Sequence, residues 1–426
     1  MIKSFRYSDK QKNKKKDNNA NSVQFFRYNT PFISTWKTDN AGTSGSTQIT
    51  IPTSSVGIYD CVVDWGDGTT SKITTYDDAA WTHTYPSSGT YIVKIYKTFS
   101  GIVFNNGGDR LKILNISQWG NKFRLGVGQG VYLYGCANLT ITAKDQLNLR
   151  GTISFSSAFR ACTSIVTIPG IENWNVSSIS AFASCFNGCT LFNSPLTNWT
   201  TTAATSMANM FNGCAAFNQP VSSFNTAAVT SMVSMFNGAS VFNQSVSNFN
   251  TAAVTDFSTM FQVALAFNQS VSSFNTAAAT SIQSMFNGAS VFNQSVSNFN
   301  TAAVTTMAFV FKNASAFNQS VSNFNTASVT LMQEMFRGAS AFNQDVSGWS
   351  IAALTNATSM FLSSAFNITN YNLLLDSATG WPSQSTIQTG VAFHAGTAHY
   401  DGANAIAGRA TLVTTKTWTV TDGGTP

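Results

Sequence analysis

Aromatic residues recur every 25 positions between residues 174 and 361, and polar residues fill the intervals between them. Three such series are present: Trp174 to Trp349, Phe186 to Phe361, and Phe192 to Phe342. Because the three series keep the same spacing, each 25-residue unit is predicted to form one turn of a stacked repeat. A single turn cannot bury its own apolar face, so the predicted core forms by stacking.

The unit of residues 224–248 shows the elements that this pattern predicts. Apolar residues from Val229 to Phe236 have the spacing of one helix face, Thr230 can cap the helix start, and Gly238 suits the left-handed turn that ends it. Residues 242–246 alternate between apolar and polar, which predicts a short strand. The predicted fold class is therefore an α/β repeat solenoid, leucine-rich-repeat-like, with parallel short strands and short helices.

The position of Gly238 tests this prediction, because glycine does not occupy it in every unit. Val263 stands at the equivalent position of the next unit, and Asn313 and Ser363 stand there in later units. A β-branched residue disfavours the left-handed region of backbone conformation. We therefore expect the turn near Val263 to use different backbone angles.

Before the repeats, two strand-like segments flank the turn signal Asp67-Gly68, which predicts a hairpin. The predicted domains are a basic N-terminal arm (1–30), a small immunoglobulin-like β-sandwich (31–103), the repeat solenoid (104–366) and a C-terminal cap (367–426). Asp64 and Asp67 lie in the hairpin turn. Paired carboxylates there either bind calcium, do acid–base chemistry or, more often, cap turn amides.

Charge changes this picture mainly at the N-terminus. Only 9% of residues are charged, and lysine and arginine crowded into the first sixteen residues account for nearly all of the net charge of +6. The nearly neutral repeats argue against a nucleic-acid partner. The arm is a candidate anchor to other virion or surface proteins, and the alternative is a solubilising tail. The candidate anchoring residues are Lys12, Lys14, Lys15 and Lys16.

Four of the six cysteines, Cys136, Cys162, Cys189 and Cys214, follow similar phrases at nearly the repeat spacing, and Ala239 takes this position in a later unit. A position that accepts cysteine or alanine indicates a small buried group, so buried free thiols are expected. A metal site or a ladder of disulfides is the alternative. The cysteines have neither CxxC pairing nor neighbouring histidines to support it.

One asparagine per unit forms a column with two interpretations. The first is a structural ladder that bonds backbone groups, and the second is a row that meets a ligand. The outward Ser245 and Ser247 are further candidates for ligand contact. The column consists of Asn218, Asn243, Asn268, Asn293, Asn318 and Asn343.

The sequence contains no GxSxG, HExxH or phosphate-binding glycine motif. The three histidines are scattered, and near-identical units do not build the unique constellation that a catalytic pocket needs. We therefore expect neither an enzyme nor a cofactor. An enzyme that uses the cap or the sandwich is a minor alternative.

The stretch VTSMVSMFNGASVFNQSVSNF, from Val229 to Phe249, resembles the repeats of BspA-like leucine-rich repeat surface proteins. Phe249 replaces the usual tryptophan of that pattern. The stretch DWGDGT from Asp64 and the stretch from His83 to Tyr91 resemble a polycystic-kidney-disease-type (PKD-type) domain. The resemblance implies a repeat solenoid displayed on a bacterial surface or a phage particle, with adhesion as its role.

These observations predict a non-enzymatic adhesion protein that offers a repetitive face to a host polysaccharide or surface glycan. The alternative is a structural spacer without a receptor. The N-terminus has no apolar region of a secretory signal, and no apolar run is long enough for a membrane helix, so membrane insertion is not expected. These features favour a virion, as a tail-fibre-like or capsid-decorating protein, over a bacterial cell surface. Self-association through open ends is left open.

Overall fold

A computed structural model describes residues 30–126, 128 and 130–426. The candidate anchoring residues Lys12, Lys14, Lys15 and Lys16 lie outside the described residues.

The N-terminal part forms two β-sheets. A seven-stranded mixed sheet has the order β4-β3-β6-β1-β7-β9, with β8 also paired to β6, and β2 pairs with β5 in a separate two-stranded sheet. The bounds are β1 Phe32–Lys37, β2 Gln48–Thr50, β3 Thr53–Asp64, β4 Thr70–Ile73, β5 Thr82–Thr84, β6 Thr90–Ile102, β7 Ile113–Gln118, β8 Phe123–Arg124 and β9 Thr140–Ile141. The β7–β9 and β6–β8 pairs are parallel, and the other pairs are antiparallel.

Alternation along β1 shows why this sheet has a buried face. Every second residue of β1 is buried, including Trp36, whose indole N–H donates to the hydroxyl of Ser34 at 2.8 Å. The bond satisfies two polar groups inside the core, as burial requires.

A buried ion pair fixes the loop that follows β1. Asp109 accepts hydrogen bonds from the backbone of Thr43 and Thr50 at 2.9 and 2.7 Å, and Lys112 Nζ donates to the carbonyls of Gly45 and Gln48 at 2.8 and 2.9 Å. Both charged side chains are almost fully buried, 3.9 Å apart. Burial lowers the pKa of Lys112, and the charge of Asp109 opposes that shift.

Between residues 142 and 355, a stretch that the structure describes throughout, the units contain no α-helix and no extended strand. Eight isolated parallel bridges, from Ser154 to Asn356, instead connect each unit to the next. A single 3-10 turn occurs at Ile171–Asn173.

Phenylalanine rings stack along this region. The rings of Phe211 and Phe236 have centroids 5.7 Å apart and lie nearly parallel, and Phe236 stacks on Phe242 within its own unit at 4.0 Å. All three side chains are fully buried. The aromatic columns seen in the sequence are thus the continuous core between neighbouring units.

The predicted fold class, an α/β repeat solenoid preceded by an immunoglobulin-like β-sandwich, is wrong. Regular structure in the described residues is mostly β-strand in mixed sheets, and the segments predicted as helices are turns. The N–H of Phe236 donates to Met260 O of the next unit at 2.9 Å, so it is not available for a helical bond within its own unit. The N-terminal sheet also continues into β7, β8 and β9 instead of closing as a separate small sandwich.

The prediction for Val263 is wrong as well. Its φ angle is 55°, close to the 69° of Gly238 and the 56° of Asn313 at equivalent positions. Its N–H donates to Asn287 O at 2.7 Å, as the N–H of Gly238 does to Gln262 O. Inter-unit hydrogen bonding therefore imposes the left-handed conformation whatever residue is present.

The C-terminal segment continues the column of bridges. The parallel strands β10 Asn356–Ala357, β11 Ala392–His394 and β12 Thr419–Thr421 form a three-stranded sheet. Two helices, α1 Ile368–Leu375 and α2 Ala403–Ala410, pack beside it, and a π-helical turn at Thr411–Thr415 extends α2. The segment thus supplies backbone partners to the last unit.

Candidate recognition surfaces of the repeat units

The asparagine column forms a hydrogen-bond ladder. Asn293 Oδ1 accepts from the backbone N–H of Asn318 and from the side-chain amide of Gln319 in the next unit, both at 3.0 Å. The same pair of bonds recurs from Asn193 onward, through Oδ1 of Asn193, Asn218, Asn243, Asn268, Asn293 and Asn318.

This ladder occupies the segment predicted to be a short strand. The N–H of Asn243 bonds to the side chain of Asn218, so a side chain replaces the neighbouring strand as acceptor. Asn343 ends the ladder, where its Oδ1 accepts from Asn367 and Asn370 at 3.1 and 2.9 Å. Because each oxygen already accepts two hydrogen bonds, ligand contact through these oxygens would have to compete with the ladder.

The two serines singled out in the sequence face solvent. Ser245 and Ser247 are both exposed, and their hydroxyls lie 3.0 Å apart. The Ser245 hydroxyl also accepts a weak bond from the N–H of Ser247 at 3.3 Å. Equivalent pairs recur once per unit, as Ser270 with Ser272, Ser295 with Ser297, and Ser320 with Ser322.

A charged cluster on the repeats escaped the sequence-based predictions. Glu334 Oε2 accepts from Lys312 of the preceding unit at 2.6 Å and from Arg337 at 3.0 Å. The hydrogen bond from Lys312 is the largest cause of a lowered pKa of Glu334; burial opposes it, and the bond from Arg337 lowers the pKa further. Lys312 also lies over the ring of Phe309, 5.4 Å from its centroid. The sequence signal was three residue types, lysine, glutamate and arginine, that are foreign to the other units.

The two aspartate carboxylates of the hairpin accept hydrogen bonds from groups of the turn. Asp64 accepts from the N–H of Gly66 at 3.0 Å, and Asp67 accepts from the N–H and hydroxyl of Thr69 at 2.9 and 2.6 Å. The second oxygen of Asp67 lies 2.8 Å from His83 Nε2. Burial opposes ionisation of Asp67, but the bonds from Thr69 and His83 outweigh it and lower its pKa to about 2.

The expectation of buried free thiols is confirmed. Cys189 and Cys214 donate to the carbonyls of Phe159 and Phe186 at 2.9 and 3.0 Å. Burial raises the pKa of Cys189 to about 12, so the thiol stays protonated at neutral pH. The buried free cysteines are Cys61, Cys136, Cys162, Cys185, Cys189 and Cys214.

The remaining features of the described residues concern metal binding, surface depressions and membrane-spanning helices. They contain no group of three or more histidine, cysteine or acidic side chains that could hold a metal ion. An open depression of about 640 Å³ is lined by polar side chains that include Gln146, Arg150, Asn173 and Asn175. None of the described helices has the length and apolar character needed to cross a membrane.

Comparison with protein families identifies the repeats. The model described as "Mycoplasma protein of unknown function, DUF285" matches residues 153–274, 224–308 and 264–374. The three matches overlap and together span more than half of the 426-residue chain. The chain belongs to this family, a Mycoplasma repeat family related to BspA-like surface repeat proteins. Comparison with curated proteins and with solved structures gives no match.

Proposed function

We propose that this chain is a non-enzymatic protein displayed on a virion or a cell surface, where it adheres to a host or surface glycan. The exposed serine pairs carry the proposal, because they place the same two hydroxyls on each of four successive units. Weak contacts of one kind, repeated along a rigid array, add through multivalency when the ligand is itself repetitive.

The family membership supports the class of function, since its relatives include surface repeat proteins. The finer assignments belong to the proposal: a BspA-like leucine-rich repeat protein, with PKD-type resemblance around residues 64–91. The nearly uncharged repeats suit a neutral polysaccharide better than a nucleic acid. Of the two locations, we favour a tail-fibre-like or capsid-decorating protein of a phage particle.

The adhesion experiment removes the hydroxyls from three units. The variant replaces Ser245, Ser247, Ser270, Ser272, Ser295 and Ser297 by alanine. Binding of the purified chain to bacterial cells is measured before and after periodate oxidation of the cell-surface glycans. We expect periodate to abolish wild-type binding and the serine variant to bind at least about tenfold more weakly.

A matched control replaces the exposed Ala227, Ala252 and Ala277 by serine in the same units. It changes the exposed surface without touching the serine pairs, so binding should persist. Unchanged binding by the serine variant would exclude this face and favour the second candidate, a structural spacer. The existing bond between Ser245 and Ser247 favours that candidate, because it shows a structural use for the hydroxyls.

The location is tested separately. Mass spectrometry and immuno-gold labelling would search for the chain in purified phage particles and in bacterial envelope fractions. Stoichiometric presence in particles would support a virion protein, and presence in the envelope alone would identify a cell-surface protein.

A further inference from the structure

Four positions of the repeat unit vary most, and the glycine position described above, the fifteenth, varies less. In the five units that begin at residues 224, 249, 274, 299 and 324, the eighth position reads Ser, Asp, Ser, Thr, Leu, and the tenth reads Val, Ser, Gln, Ala, Gln. The eleventh reads Ser, Thr, Ser, Phe, Glu, and the fourteenth reads Asn, Gln, Asn, Lys, Arg. We name these four columns the variable strip; in the unit that begins at residue 299 they are Thr306, Ala308, Phe309 and Lys312.

Side-chain contacts connect neighbouring units along the strip. Ser258 contacts Ser281 of the next unit through hydroxyls 2.7 Å apart, which links the tenth and eighth columns. Lys312 contacts Glu334 of the next unit, which links the fourteenth and eleventh columns. The strip is not uniformly accessible, because Ser234, Ser284 and Ala308 are buried. Its partly exposed part is centred on Phe309, Lys312, Glu334 and Arg337.

Random drift at exposed sites does not explain this variation. The fourth position of the unit is exposed in all five units and is alanine in all of them, from Ala227 to Ala327. A solvent-exposed alanine side chain makes few packing contacts that would keep it unchanged. Its presence in all five units therefore indicates that the units have diverged little at positions without selection for change. The differences are concentrated on one surface.

Charge is concentrated there too. Between residues 174 and 350 the chain has five charged residues, and only Asp345 lies outside the strip. The eleventh column is left-handed in all five units, with φ of 56° at Ser284 and 63° at Phe309. A bulky side chain is disfavoured in that region, so phenylalanine is the least expected residue of the column.

The pattern also selects the class of partner. A repeating polymer presents the same groups to each unit and is matched by identical units, whereas a folded protein presents different groups to each. We propose that the variable strip is a docking surface for a folded protein, centred on Phe309 and Arg337. Aromatic residues and arginine dominate the binding energy of protein interfaces. Lys312 and Arg337 share the single carboxylate of Glu334, so the cluster has one net positive charge and complements an acidic patch.

This inference goes beyond the proposed function, since it uses different columns of the unit and a different class of ligand. Site-specific photo-crosslinking of the full chain tests it. A benzophenone side chain replaces Gln283, an exposed strip residue, or Ala277, an exposed residue of the uniform column in the same unit. Each version is mixed with bacterial envelopes and illuminated, and the adducts are digested and sequenced.

We expect one discrete protein adduct from position 283, at least tenfold stronger than from position 277, with its cross-linked peptide beside acidic residues. The variant F309S/K312N/E334S/R337N is made in the version that carries the benzophenone at position 283. It gives positions 309 and 334 the serine found at Ser284, and positions 312 and 337 the asparagine found at Asn287. It should reduce the adduct at least tenfold while thermal stability is retained. If that variant fails to fold, R337N alone must reduce the adduct. Glycan adducts only, no adduct, equal adducts from both positions, or an adduct insensitive to these substitutions would each overturn the proposal.

Discussion

Asp67 shows how single residues fix the hairpin before the repeats. Its folded-state pKa of about 2 lies below the ordinary aspartate value near 4. The stabilisation is therefore fully present above about pH 4 and is lost as the pH falls through about 2.

We expect Asp67→Asn to remove at most about 2 kcal/mol of unfolding free energy at neutral pH. The loss of stability between about pH 4 and pH 2 should also become shallower in this variant. Urea unfolding at several pH values, followed by tryptophan fluorescence, measures both effects. A pH dependence identical to the wild type would show that Asp67 is not the group responsible. Asp77→Asn, at an exposed acidic residue, is the control.

Val263 adopts a left-handed conformation that glycine occupies without strain in other units. Strain in a β-branched residue there costs about 1–2 kcal/mol, partly offset because glycine loses more entropy on folding. We therefore expect Val263→Gly to stabilise the chain by about 0.5–1 kcal/mol in thermal unfolding. The reciprocal Gly238→Val should destabilise it, and a loss of stability in Val263→Gly would refute the strain argument.

At the scale of elements, the asparagine ladder takes the place of strand pairing. Asn293→Ala leaves two donors of the next unit, on Asn318 and Gln319, without their acceptor. We expect a loss of about 1–3 kcal/mol in chemical denaturation. Gln283→Ala, at an exposed position outside the ladder, should stay within about 0.5 kcal/mol of the wild type. A loss no larger than in that control would mean that water replaces the ladder bonds.

In the N-terminal sheet, the buried ion pair of Asp109 and Lys112 has a role comparable to that of the asparagine ladder. Lys112→Met leaves the Asp109 carboxylate buried without its cation, which should cost about 3–5 kcal/mol. Urea unfolding measures the change, and Lys122→Met at an exposed site is the control. Equal stability of both variants would show that the backbone donors alone satisfy Asp109.

At the scale of the whole molecule, the C-terminal segment covers the end of the stack. The N–H of Phe361 donates to His394 O, and β11 pairs with β10 at the end of the column of bridges. Deletion of residues 367–426 should expose unpaired backbone groups and the last aromatic rings, which favours edge-to-edge association. We expect a lower unfolding temperature and oligomers in light scattering. A truncated chain that stays monomeric and equally stable would contradict this role, and deletion of residues 425–426 is the control.

The sequence by itself determined which residues form the core. The aromatic columns, the buried thiols and the small residues at Cys189 and Ala239 were all readable, because burial in a repeated unit requires apolar residues at a fixed period. It also contained the uniform and variable columns, whose contrast locates the strip.

Only the tertiary structure decided the backbone conformation of the units. Apolar spacing from Val229 to Phe236 fits a helix equally well, but that spacing does not show where the N–H groups donate. In the folded chain several of them, such as those of Ser234 and Phe236, donate to the next unit 24 residues away, and asparagine side chains replace the predicted strands. Such bonds exist only once units are stacked, so local pattern and propensity could not reveal them.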